Sequence, residues 1–171
     1  MFVRRVVVVV PLLGALFAAA VPLAQYVEKQ RHEETAIEVL QHVRHAQQTF
    51  RQLWGGYTTD VDSLTTPCGS EKATLDEGAL ARLRENGYRL WIRPAAGAVA
   101  LETRDCRGRP LSADYFVAAE PIDATVVAQQ AFAARAEGDV HISYDGVAPD
   151  ETLIANGLST PLEQRSTFRI P

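Results

Sequence analysis

The chain has 171 residues, of which 47% are hydrophobic and 22% charged, and its formal net charge is -4. This composition excludes disordered and collagen-like classes and fits one modest domain. From residue 28 onward, 15 basic side chains stand against 21 acidic ones, and no basic stripe alternates with aromatic residues. General nucleic-acid binding is therefore disfavoured.

The amino-terminal region, residues 1–27, contains an uncharged stretch of 22 residues at positions 6–27. As a helix it would span roughly 33 Å, close to the thickness of a bilayer's hydrocarbon core. Arg4 and Arg5 precede it and charges of mixed sign follow it. The positive-inside rule then predicts a single-pass inner-membrane protein with a cytoplasmic amino terminus and a periplasmic carboxy-terminal domain. A cleaved secretory signal is the alternative, because Ala18, Ala19 and Ala20 suit a signal peptidase.

Residues 28–54 continue the helix as an amphipathic segment. Apolar residues recur there at spacings of three and four, which is typical of one helix face. This apolar stripe consists of Ala36, Val39, Val43, Ala46, Phe50 and Leu53, and Ile37, Leu40 and Trp54 widen it. No turn signal separates this segment from the apolar stretch, and Gly55 and Gly56 follow it. One helix from about residue 3 to 54 is predicted, whose stripe must pack against the remaining chain or against other copies.

The region after this helix reads as a small α+β head, residues 55–146. Residues 55–75 resemble a loop, and Asp76 caps a short helix over residues 77–86. Alternating patterns then predict five short strands, at residues 88–94, 98–103, 115–120, 130–135 and 140–144. The links between them are short, which favours an antiparallel meander. The stripe of the long helix is the element available to cover this sheet. Residues 147–171 are expected to form an irregular carboxy-terminal tail.

This order of elements resembles type IV pilins and the pseudopilins of type II secretion. The segment from Gly14 to Pro22 looks like the family's transmembrane half-helix, and Ala46–Phe50 with Gly55-Gly56-Tyr57 looks like its helix end. Residues 115–121, 131–133 and 138–142 resemble successive strands of the pilin-like head. No leader ending in glycine precedes the apolar stretch, and Arg5 stands where the family has a glutamate.

The resemblance implies a fold and a function. The fold would be α+β and type IV pilin-like, with a long amino-terminal helix, transmembrane in its first half and amphipathic in its second, packed on a small antiparallel sheet. The protein would be a membrane-anchored subunit of a pilus or secretion-like assembly, with other pilin-like subunits and an inner-membrane platform as partners. Its membrane and assembly helix would use Gly14, Pro22, Val39, Val43 and Phe50. The alternative is an anchored or secreted periplasmic binding module that does not form filaments.

Cys68 and Cys106 are the two cysteines of the chain. On a periplasmic side a disulfide between them is favoured over two free thiols, and a redox or metal pair is disfavoured because no Cys-x-x-Cys spacing occurs. Closing this loop would stabilise the fold by on the order of 3–4 kcal/mol.

Other polar clusters give weaker signals. Glu38, His42 and His45 share a helix face, but a solvated polar face is the preferred interpretation over zinc. Asp145, Asp150 and Glu151 flank a glycine and offer oxygen ligands for calcium, which some pseudopilins bind, but their spacing fits an ordinary turn better. No cofactor is therefore predicted.

One strand face carries the strip Arg89, Trp91 and Arg93, a candidate partner surface that a tail would more often cover. The chain lacks nucleophile elbows, phosphate-binding loops, dinucleotide fingerprints and zinc-protease motifs. An enzyme is not expected, and a hydrolase with an unrecognised site is the least favoured class.

Overall fold

The computed structural model describes residues 3–66, 74–123 and 130–162, and over residues 3–25 it describes the backbone alone. The chain divides into two units, Met1–His32 and Glu33–Pro171. The described part of the first unit is helical throughout. The second unit holds the end of the same helix and all other described elements.

Helix α1 runs from Val3 to Trp54 as a single helix of 52 residues. It ends where Gly55 adopts a left-handed backbone, with φ of 80°, and the Gly55 amide donates to the Arg51 carbonyl at 2.8 Å. Gly56 has no space for a side chain, because a Cβ there would lie 2.9 Å from the Cβ of Leu111. The Gly-Gly pair therefore ends the helix with two different constraints, one conformational and one steric.

The predicted inner-membrane localisation is contradicted. Among the helices of residues 3–66, 74–123 and 130–162, none is long and apolar enough to cross a membrane.

The remaining elements are short and follow in chain order. The helices are α2 (Val61–Thr65), α3 (Glu77–Glu85) and α4 (Glu151–Ala155), and the strands are β1 (Tyr88–Pro94), β2 (Ala100–Arg104), β3 (Pro110–Ser112), β4 (Tyr115–Pro121), β5 (Ala131–Arg135), β6 (His141–Ser143) and β7 (Thr160–Pro161). Each short helix has an aspartate N-cap whose carboxylate accepts a backbone amide, and these are Asp60, Asp76 and Asp150. Such caps satisfy amides that have no partner within the helix.

Five strands form an antiparallel sheet in the order β1-β4-β5-β6-β7, and β2 and β3 form a separate hairpin. β1 and β4 pair over their full length, with Trp91 opposite Ala118. Because side chains alternate across a strand, each sheet strand has two faces. One face packs on residues 36–50 of α1 and forms the main core, so the α+β fold with a long helix on an antiparallel sheet is confirmed.

The second face of the sheet is covered by the carboxy-terminal region. Phe116, Ala118 and Ala133 are buried on this face, and Trp91, Ala148 and Ile154 pack against them. Both faces of β4 are consequently buried along the whole strand. This explains why residues 115–119 of β4 form a continuous apolar run rather than an alternating pattern.

Four local predictions differ from the structure. Residues 55–75 are not entirely loop, because helix α2 lies within them and is capped by Asp60. The carboxy-terminal tail is not irregular, because α4 and β7 lie in it and β7 pairs with β6; both elements are too short to produce a periodic pattern. The strand predicted near residue 98 pairs with β3 in a hairpin instead of joining the five-stranded sheet. Leu53 is 49% exposed, so the buried stripe of α1 ends at Phe50. The Trp54 ring packs beside Phe50, with ring centroids 6.3 Å apart.

Candidate functional site

A polar cleft of about 500 Å³ lies at one edge of the second unit. The end of α1, the turn before β4, the turn after β5 and helix α4 supply its walls. Its polar lining consists of Arg51, Tyr57, Asp114, Arg135, Glu137 and His141. The volume falls within the range of ligand-binding clefts, about 300–1,000 Å³.

Arg51 is held in the cleft by an aromatic neighbour. Its Nη1 donates to the Tyr57 hydroxyl at 3.0 Å, and its guanidinium lies 5.2 Å from the centre of the Tyr57 ring. Tyr57 in turn packs edge-on against the buried Tyr115, with centroids 5.0 Å apart. Burial raises the pKa of Tyr115 well above its usual value of 10, against the opposing effect of Arg44. Tyr57 therefore offers Arg51 both a hydroxyl acceptor and a ring face, and these two contacts hold the guanidinium in the cleft lining.

Arg135 and Asp114 form an ion pair inside the cleft, with Arg135 Nη2 donating to Asp114 Oδ2 at 2.5 Å. Asp114 also accepts the Tyr115 amide through Oδ1 at 2.8 Å. About a quarter of each side chain of the pair is exposed. The pair is electrically neutral as a unit, so Arg51 is the cation of the lining that no described carboxylate neutralises.

His141 belongs to the cleft lining and is buried. Its Nδ1 lies 2.5 Å from the Ser159 hydroxyl oxygen. Burial lowers the pKa of His141 below its usual value of 6.5, although Asp139 and Ser159 act in the opposite direction. The ring is therefore neutral at neutral pH.

The strip Arg89, Trp91 and Arg93 is engaged by the chain itself. Arg89 and the Trp91 indole both donate to Glu120 Oε2, at 3.1 and 3.0 Å, and the Ala148 amide donates to Glu120 Oε1 at 3.0 Å. Burial opposes ionisation of Glu120, but these hydrogen bonds outweigh it and lower its pKa. The strip thus fixes the region after β6 on the second face of the sheet.

Arg93 also helps to attach the region after β6 to the second face of the sheet. Its guanidinium lies 4.8 Å from the ring centre of Phe116 and 5.8 Å from that of Trp91. Its Nη2 lies 2.8 Å from Oε2 of Glu151, a side chain that is 3% exposed. Glu151 Oε1 also accepts the Ala96 amide at 2.6 Å. The cation–aromatic strip is therefore occupied by α4 and the residues before it.

The predicted assembly residues fall in two groups. Val39, Val43 and Phe50 are buried in the core beneath the sheet, so the stripe packs against the remaining chain, one of the two possibilities open from the sequence. Gly14 and Pro22 lie within α1, in the part described by its backbone alone.

Cys106 is in a disulfide bond, and the sequence contains one other cysteine, Cys68. Cys68 lies outside the described residues. Next to Cys106, the buried Asp105 accepts the amides of Arg107 and Arg109 through Oδ1, at 2.9 and 2.8 Å. Its Oδ2 accepts the Ser63 hydroxyl at 2.9 Å. The turn that carries the disulfide is thus tied to α2.

The carboxylates considered for calcium have separate roles. Asp145 accepts the Ser143 hydroxyl and the Val147 amide, Asp150 caps α4, and Glu151 pairs with Arg93. Glu38, His42 and His45 are exposed on α1. Within the part of the chain that the structure describes, no three such side chains are grouped as a metal site.

The sequence alone does not predict the cleft. Its polar residues come from positions as far apart as Arg51 and His141, and no short motif contains more than a few of them. The pairing of His141 with Ser159 depends on β7 lying beside β6, and β7 has no sequence signature. No protein-family model, curated protein or solved structure matches this chain.

Proposed function

We propose that the protein is a pilin-like subunit that assembles with other copies, or with related subunits, through the first part of α1. The observation that carries this proposal is the continuity of α1 from Val3 to Trp54. A single helix joins the uncharged stretch of residues 6–27 to the stripe that forms the core of the second unit. This arrangement supports the resemblance to type IV pilins, in which such a helix carries the assembly contacts.

The uncharged stretch needs a partner for a physical reason. A lone helix cannot cover side chains that project from all its sides, and its stability in proteins comes from packing. Each valine or leucine buried against a neighbour contributes about 1.5–3 kcal/mol, which over several residues exceeds the cost of association. Another copy of the same helix offers a surface of matching chemistry and length.

The second unit suits a role in display because its helix is firmly attached. Gln47 of α1 is fully buried, its Nε2 donates to the Thr58 carbonyl at 2.6 Å, and its Oε1 accepts the Thr58 amide at 3.2 Å. Together with the core beneath the sheet, this contact holds residues 33–54 of α1 in place. The head would therefore remain folded while α1 engages neighbouring subunits.

Site-specific photocrosslinking in the native host tests this proposal. A benzophenone amino acid replaces Phe17 in the uncharged stretch, and the matched control carries it at Gln48, which is exposed on the polar face of α1. We expect light-dependent dimers and larger products containing this chain from position 17 and few from position 48. An absence of such products at position 17, or equal products at both positions, would contradict the proposal.

A binding module that does not assemble is the second candidate. The polar cleft beside the end of α1 favours it, because an assembly subunit needs no such cleft. This function predicts a chain that stays monomeric and loses its activity when the cleft is blocked. The photocrosslinking result distinguishes the two candidates, since a binding module gives no products that contain a second copy.

A further inference from the structure

We propose that the cleft beside the end of α1 binds a small organic carboxylate, with the carboxylate on Arg51 and the carbon chain along the apolar lining. This inference goes beyond assembly, because it concerns residues of the second unit alone. It rests on the charge balance, the fixed geometry and the mixed polarity of the cleft.

The charge balance favours a ligand with one negative charge. Arg135 is neutralised by Asp114 at 2.5 Å, whereas the hydrogen-bond partner described for Arg51 is the Tyr57 hydroxyl and not a carboxylate. Glu137 adds an acidic group to the lining and is exposed. With His141 neutral, the charges of Arg51, Arg135, Asp114 and Glu137 sum to zero, so a phosphate or another polyanion would meet stronger repulsion from Asp114 and Glu137 than a monoanion would. A monoanion can pair locally with Arg51.

The hydrogen-bond donors of the cleft suit the two oxygens of a carboxylate. A guanidinium presents paired N–H groups in one plane, which suits the two oxygens of a carboxylate. Arg51 uses one of these groups on Tyr57. When Ser159 donates to Nδ1 of His141, the single proton of the neutral ring lies on Nε2, so His141 brings a ring N–H to the residues that line the cleft.

The remaining lining is apolar and suits a short carbon chain. Ala113, Ala136 and Ile154 contribute apolar surface to the lining. The volume of about 500 Å³ is sufficient for a ligand of several carbon atoms. An inorganic anion would leave these groups unused, whereas an aliphatic carboxylate contacts both kinds of surface.

Calorimetric titration of the full-length chain tests the proposal with three probes. Hexanoate carries the proposed chemistry, hexanol lacks its charge, and inorganic phosphate lacks its carbon chain. We expect hexanoate to bind in the millimolar range or more tightly, and the other two to bind at least about tenfold more weakly. Failure of hexanoate to bind at millimolar concentration, or equal binding of phosphate, would overturn the proposal.

Two variants test whether hexanoate binds in the cleft, and using two guards against the possibility that one of them does not fold. Arg51→Gln removes the cation, and Ala155→Trp fills the cleft from the exposed side of α4 without changing a charge. Each is expected to weaken hexanoate binding at least about tenfold. Arg84→Gln, on the exposed surface of α3, is the matched control and should bind as the wild type does.

Binding of hexanoate that persists in both cleft variants would place it elsewhere and overturn the proposal. Thermal unfolding of each variant shows whether it is folded, and Ala155→Trp remains informative if Arg51→Gln is not. Photocrosslinking from position 17 should be the same in all three variants. Loss of carboxylate binding is thus distinguishable from loss of assembly.

Discussion

Arg93 of β1 and Glu151 of α4 form an ion pair across the second face of the sheet, with Nη2 and Oε2 2.8 Å apart. The arginine side chain is 45% exposed and the glutamate side chain 3%. The buried charge therefore depends on a partner that reaches it from the surface. Because Glu151 Oε1 also accepts the Ala96 amide, this one carboxylate ties α4 to β1 and to the turn that follows it.

Arg93→Ala is expected to lower the free energy of unfolding by about 1–2 kcal/mol, because it leaves the Glu151 charge buried with only Arg135, at 3.9 Å, nearby. The partial exposure of Arg93 keeps the loss in this range. Urea unfolding measures it, with Arg84→Ala as the exposed control. Equal stability of the two variants would show that the pair does not hold α4 on the sheet.

Gln47 and Gln48 are adjacent glutamines with opposite environments. Gln47→Leu removes both hydrogen bonds to Thr58 and leaves a buried amide and carbonyl without partners. We expect a loss of about 2–3 kcal/mol in the free energy of unfolding. Gln48→Leu, on the exposed side of the same helix turn, should change it by less than about 0.5 kcal/mol. Similar effects of both substitutions would contradict the proposed attachment of α1.

Glu120 should make stability depend on pH. Its pKa in the folded protein lies below the usual 4.5, because hydrogen bonds from Ala148, Trp91 and Arg89 outweigh the effect of burial. The stability that this carboxylate contributes is present above pH 4.5 and is lost as the pH falls through the lower folded-state pKa.

Urea unfolding at a series of pH values, for the wild type and Glu120→Gln, measures this effect. The wild type should be the more stable protein near neutral pH, and the difference should shrink as the pH falls below 4.5. A difference that is constant across this range would mean that ionised Glu120 does not stabilise the fold.

The disulfide of Cys106 should stabilise the second unit by restricting the unfolded chain. Replacing Cys68 and Cys106 together by serine is expected to cost about 3–4 kcal/mol of unfolding free energy. Reduction of the wild-type protein should give a similar loss, and it should have no effect on the double variant. A reductant effect on the double variant would point to a cause other than this bond.

The sequence predicts the main fold because its signals are local and repeated. The stripe from Ala36 to Phe50 keeps one period for four helix turns, and its residues are buried as expected. The sequence also predicts the short helix that follows Asp76, because a capping aspartate, two inward-facing leucines and a terminating glycine all indicate a helix at this place. Strands β1, β4, β5 and β6 likewise coincide with the predicted patterns.

The parts that the sequence does not predict depend on contacts between distant positions. Helix α4 spans five residues, too few for a pattern, and it is held by Arg93 far away along the chain. In the sequence Arg51 is only the basic residue of the last turn of α1, and the cleft becomes visible once Tyr57 and His141 are found in the same lining. Such a cleft has no short motif, because its residues share a location and not a spacing.

If residues 6–27 bind the same stretch of another copy, one charge placed among them should separate the copies. Sedimentation velocity of the full-length protein, purified from its native host, compares the wild type with Leu13→Glu and with the control Gln48→Glu. We predict that the wild type and the control sediment as multimers whose mass grows with concentration, while Leu13→Glu shifts toward the monomer mass of 18.7 kDa. A wild-type protein that stays at the monomer mass over the whole concentration range would contradict assembly through α1.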